Sequence, residues 1–133
     1  MILSSLSKFS DVALLVLRIG IGSLMAWLHG FPKIMGGPEV WKKVGAAMTH
    51  LGIDFAPTVF GLMAAATESL VAILFVIGFL FRPSCLLLAF VMAVATTMHL
   101  KNDGLADASH AIELGLVFLA MAFVGPGKYA VDK

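Results

Sequence analysis

Apolar residues dominate four long stretches of the chain, and the few polar residues inside them recur at helical rather than strand spacing. The stretches run over about 12–31, 57–81, 84–100 and 108–124. Each has the length, roughly 17–25 residues, that an α-helix needs to cross about 30 Å of hydrocarbon. Asp11 suits the first turn of span one, and Pro32 marks its end. Between spans one and two, the segment GGPEVWKKVGAAMTHLG has its own helical grammar. Gly36 and Gly37 break the chain, Pro38 and Glu39 suit a first turn, and Gly52 closes the last. Val40, Val44, Met48 and Leu51 form one apolar stripe with Trp41 at its edge, while Lys42, Lys43, Thr49 and His50 lie off it. A helix over 38–51 is too short to span, so it is expected in the membrane interface, the alternative being a water-exposed connector. Arg82-Pro83 reads as a tight link, LKNDGLADAS as a polar loop, and Gly125-Pro126-Gly127 as a helix stop. The expected fold is all-α: an integral membrane four-helix antiparallel bundle forming a single domain over 1–133, with one short interfacial amphipathic helix between spans one and two.

Composition supports this class. Of 133 residues, 60% are hydrophobic and 13% charged, and the mean hydropathy is +1.01, which leaves too little polar surface for a soluble domain. A net charge of +1 without any basic run excludes a nucleic-acid-binding surface. Cys85 is the lone cysteine, so neither an internal disulfide nor a dithiol relay can form, and packing as a small apolar residue is expected. No small-residue cleavage site precedes span one, which reads as a retained helix. The basic residues divide evenly between the two faces: Lys8, Arg82, Lys128 and Lys133 against Lys33, Lys42, Lys43 and Lys101. The tight Arg82-Pro83 link and the basic tail point to cytoplasmic termini.

The polar residues inside the spans are the candidate chemistry, because charge at membrane depth requires a partner or a function. At about 100° per residue, Arg18, Gly22, Met25, His29 and Lys33 share one face of span one. Gly61, Ala64, Ala65, Glu68 and Ala72 form a small-residue face of span two that turns Glu68 into the bundle. Glu68 lies about 16 Å below the face bearing loop 32–56, at roughly 1.5 Å per residue, and Arg18 lies at a similar or greater depth. Arg18 and Glu68 are therefore expected to form a buried ion pair, with proton carriage by Glu68 or ligand binding by Arg18 as the functional alternative. His29, His99, His110 and Glu113 are expected to converge above them. Such a set suits the carbonyls and protons of a quinone, with Lys33 alongside. A metal ion is the weaker alternative, and mutual hydrogen bonding at the helix ends is the purely structural one. His50 is expected to be solvated.

RIGIG at 18–22, HGFPKI at 29–34, ATESLVAILFVIGFLFRP at 66–83 and HAIELGLVFLAMAFVGPGKYAVD at the end together resemble the DoxX family of small four-helix bacterial membrane proteins. The likeness covers about 12–132 and rests on Arg18, His29, Gly30, Lys33, Glu68, Gly78, Arg82, the GPG turn and Asp132. It implies a bacterial inner-membrane protein associated with quinone-linked redox complexes. Three readings follow. The first is a subunit of a quinone-dependent oxidoreductase, acting with a partner redox protein or as a homo-oligomer within the bilayer. The second is a non-enzymatic scaffold or accessory subunit, and the third a protein handling a metal or small solute through the His/Glu cluster. Whether the chain is itself an enzyme stays open at this level.

Overall fold

The computed structural model describes residues 2–132. They form α1 (Ser4–Met35), α2 (Gly37–Gly45, continued by a 3-10 turn Ala46–Leu51), α3 (Pro57–Ile77), α4 (Phe81–Asn102) and α5 (Leu105–Val124). The described residues contain no β-strand. Helices α1, α3, α4 and α5 are long and apolar enough to cross a membrane. The all-α bundle expected from the hydrophobic pattern is therefore present.

Helix α3 is the hub, packing against α1, α2 and α4, while α5 packs along α4. Phe75 of α3 joins the two halves: its ring stacks on Phe81 with centroids 5.2 Å apart and meets Phe118 of α5 edge-on at 5.3 Å. Leu88, Met92, Met121 and Cys85 complete this core, and Cys85 packs there as the small apolar residue expected. The outward surface stays apolar, with Val16, Leu24, Trp27, Leu116 and Phe123 all exposed, as a lipid-facing belt requires. Helices α1 and α5 do not pack closely on each other.

Several boundaries differ from those the sequence suggests. Helix α1 does not stop before Pro32. It runs to Met35 because residues Met25–Gly30 widen into a π turn. The N–H of Phe31 reaches back to the carbonyl of Ala26, so Pro32, which has no N–H to give, follows without breaking the helix. After a 3-10 lead-in Ser4–Phe9, Asp11 sits in the first turn of the α-helical part of α1, as expected, and its carboxylate accepts the Lys128 N–H at 3.0 Å. The α3–α4 link is Gly78–Leu80, with Gly78 and Leu80 in the left-handed region. Arg82 and Pro83 belong to the first turn of α4, where a missing N–H goes unnoticed.

Helix α2 forms where its glycines and Pro38 allow, and it packs backbone to backbone on the start of α3. A Cβ on Gly45 would collide with the Pro57 carbonyl, and one on Gly61 with the backbone of Trp41. The Trp41 indole N–H donates to the Lys33 carbonyl at 2.9 Å, tying α2 to the end of α1. The end of α1 thus lies beside the second turn of α3, and α2 continues upward from there.

Candidate functional site

Two π turns face each other across the α1–α3 contact: Met25–Gly30 and Thr67–Val71. A π turn shifts the hydrogen-bond register and leaves carbonyls in need of donors, which lipid cannot supply. Separately, the Thr67 hydroxyl donates to Met63 O at 2.8 Å, a carbonyl the Thr67 N–H also reaches, and the Ser69 hydroxyl to Ala65 O at 2.7 Å, each one turn back along α3. Gly30 lies directly on the Glu68–Ser69 peptide, where any Cβ would overlap backbone atoms. That close approach places His29 and Lys33 of α1 around Glu68 of α3.

Glu68 is buried, and its carboxylate Oε2 accepts from the Lys33 ammonium; the two side chains are 4% and 30% exposed. This overturns the expected Arg18–Glu68 pair. Arg18 is buried near the middle of α1, about four turns from Lys33, donating from Nη1 to Pro126 O at 3.1 Å and from Nη2 to Tyr129 O. The expectation failed because it set the end of α1 level with Pro57. Helix α2 occupies that level beside Gly61, so α1 sits lower against α3 and Lys33, one turn beyond His29, meets Glu68.

Above the ion pair is a cleft of about 140 Å³. Its walls are Met25, His29 and Lys33 from α1, Glu68 from α3, Met92, Ala95, Met98 and His99 from α4, and Asp107, His110, Ala111 and Leu114 from α5. The His29 and His110 rings face each other at 5.9 Å between centroids, bridging the flank where α1 and α5 do not pack. His99 lines the same cleft with its Nδ1 2.9 Å from Asp103 Oδ2, a bond that orients the ring. Carboxylate, ammonium and three imidazoles thus border one volume, with methionines on its apolar side.

The remaining expected site residues do not join it. Glu113 is exposed on the outer surface of α5 and lines no part of the cleft. His110 itself sits at the exposed edge of the cleft, and the step of about 60° made by a three-residue offset leads away from the cleft for Glu113 and into its lining for Asp107 on the other side. The metal set His29, His99, His110 and Glu113 accordingly does not assemble. Among the described residues no three His, Cys, Asp or Glu side chains gather closely enough to hold an ion. His50, half-buried on α2, is not in the cleft. Asp107 was missed: it precedes His110 by three residues, a spacing that would have brought it to the same wall, but it reads as part of the polar loop.

The chain matches the DoxX family over residues 13–100, which takes in the α1 and α3 walls of the cleft and ends inside α4. It is 30% identical over 131 residues to the inner membrane protein YphA of Escherichia coli (strain K12), covering 92% of this chain and 89% of that protein. No solved structure matches. The α5 wall, with Asp107 and His110, lies beyond the family match but within the span aligned to YphA. With four helices long and apolar enough to cross a membrane, a match over most of its length and an inner-membrane relative aligned nearly end to end, the chain is a multi-pass membrane protein belonging to the DoxX family.

Proposed function

We propose that the chain is the quinone-binding subunit of a membrane oxidoreductase, holding the quinone head group in the cleft between His29, His99 and His110. The observation that carries this reading is the Lys33–Glu68 pair, its carboxylate buried, on the floor of a cleft walled by imidazoles. A quinone presents two carbonyl oxygens and, on reduction, takes up two electrons and two protons to become the quinol. Imidazole and ammonium N–H groups stabilise carbonyl oxygens as charge develops, and in this reading His29 and Glu68 carry the protons. An apolar cavity of about 150 Å³ accepts a benzene ring, so the cleft matches a single ring in size. The flank between α1 and α5 gives a bilayer-dissolved molecule a side route to it. The electrons come from a partner redox protein, since nothing in the chain stores them.

The test is organic extraction and mass analysis of protein purified in mild detergent. Wild type is expected to carry quinone, and His29→Ala and His110→Ala to lose most of it while remaining folded. Wild type devoid of quinone, in protein taken from membranes that contain it, would sink the reading. The scaffold alternative draws on the backbone-close packing at Gly30, Gly45 and Gly61. It would be favoured if every polar substitution in the cleft altered only yield and melting temperature. The even division of basic residues leaves orientation to the tight α3–α4 link and the basic tail, on which we place the termini in the cytoplasm.

A further inference from the structure

At the end opposite the cleft, the chain's last residues fold back across the bundle and leave a second, larger cavity. It measures about 740 Å³ and is lined by Leu80, Arg82, Pro83, Pro126, Gly127, Lys128 and Asp132. We propose that this cavity binds the headgroup of an anionic phospholipid through Arg82 and Lys128.

Charge is the first argument. Both cations are exposed at the cavity, whereas the one carboxylate in its lining is already engaged. Asp132 accepts the Leu80 N–H at 3.0 Å and the Phe81 N–H at 2.7 Å, capping the N-terminus of α4. Arg82 is held in place by its Nη1, which donates to the Ala122 and Phe123 carbonyls at the end of α5. This leaves Nε and the outer edge of the guanidinium available as a pre-set fork for a phosphate diester. Lys128, over the Tyr129 ring at 5.1 Å, supplies the second charge.

Position and size select a lipid over a soluble anion. Arg82 lies in the first turn of one membrane-crossing helix and bonds the last turn of another, so the cavity sits where hydrocarbon gives way to headgroups. Exposed Leu80, Phe123 and Val124 lie at the same level, ready to meet acyl chains. A free phosphate would fill a small part of the volume, while a phosphodiester with its glycerol groups would occupy much more. Basic pockets between membrane helices are a recurring way of holding such headgroups.

The experiment measures retention of phosphatidylglycerol by native mass spectrometry, and thermal stability in vesicles of phosphatidylglycerol or phosphatidylcholine. Inorganic phosphate in detergent forms a separate arm. Phosphatidylglycerol is expected to be retained and to stabilise, and phosphatidylcholine and phosphate to do neither. Lys128→Gln should weaken retention about fivefold, a basic residue near an anionic surface being worth about 1 kcal/mol. Because Arg82 also ties α4 to α5, Lys128→Gln is the decisive variant and Arg82→Gln the supporting one. Equal stabilisation by phosphatidylcholine, stabilisation by free phosphate alone, or retention untouched in Lys128→Gln would each overturn the proposal. None of these outcomes depends on quinone at the other end.

Discussion

Lys33 and Glu68 hold the candidate site together through one charged contact, and the burial of the two partners is unequal. Removing the ammonium alone strands a carboxylate in surroundings with little water, and breaking such a pair costs about 3–5 kcal/mol. Because Lys33 is partly exposed, Lys33→Met is expected near the lower end of that range. Lys33→Met combined with Glu68→Leu removes both charges and should recover most of the loss. Denaturation of the single and double variants in one detergent checks this, and a double variant no more stable than Lys33→Met would contradict the pairing. That His29, Lys33 and Glu68 face the bundle, with His110 at the rim of the same cleft, was legible in the sequence, because helical periodicity narrows which face a residue occupies. Which of them touch was not, since a partner across two helices depends on their relative height. An error of two or three turns exchanged Lys33 for Arg18, and an angular error of well under one turn put Glu113 in the cleft.

Among the elements, the facing π turns of α1 and α3 determine that height, and nothing in local composition announces them. Pro32 looks like a terminator, yet the widened turn before it lets α1 continue to Met35. Gly30 is where the two helices meet at their backbones, and neither the Glu68 carbonyl nor the Ser69 nitrogen can step aside for a side chain. Gly30→Ala is therefore expected to destabilise by about 1–3 kcal/mol, as overpacking does, and to pull Lys33 away from Glu68. Gly20, in the same helix, has open space where a Cβ would go. Gly20→Ala should be neutral or stabilising by up to about 1 kcal/mol through helix propensity. Comparing melting temperatures of the two variants separates close packing from propensity. Equal effects would mean that α1 and α3 do not meet at Gly30. The span positions and the existence of α2 were readable because hydrophobic length and glycine punctuation are local properties. The attachment of α2 to α3 depends on two glycine contacts distant in sequence.

Across the whole molecule, the two ends of the bundle are built on different principles. The cleft end is lined by groups that can exchange protons, whereas at the other end residues 126–132 fold back over the bundle beside the larger cavity. That segment supplies carbonyls of Pro126 and Tyr129 to buried Arg18, an N–H of Lys128 to Asp11, and the Asp132 cap to α4. It also adds backbone bonds from Val131 to Ile77 and from Asp132 to Gly78. Arg18 has no acid beside it in these contacts; the carbonyl dipoles of the tail and of the α3 C-terminus oppose its charge. Deleting residues 126–133 should expose Arg18 and uncap α4 together, and hydrogen bonds to a charged group contribute about 1.5–3 kcal/mol each. Hydrogen exchange should then rise across residues 77–85 and along the Arg18 turn of α1, while residues 29–33 and 66–70 keep their protection. Protection lost equally at both ends would show that the tail supports the whole bundle rather than one end. Protection unchanged near Gly78 would show that Arg18 finds its acceptors elsewhere.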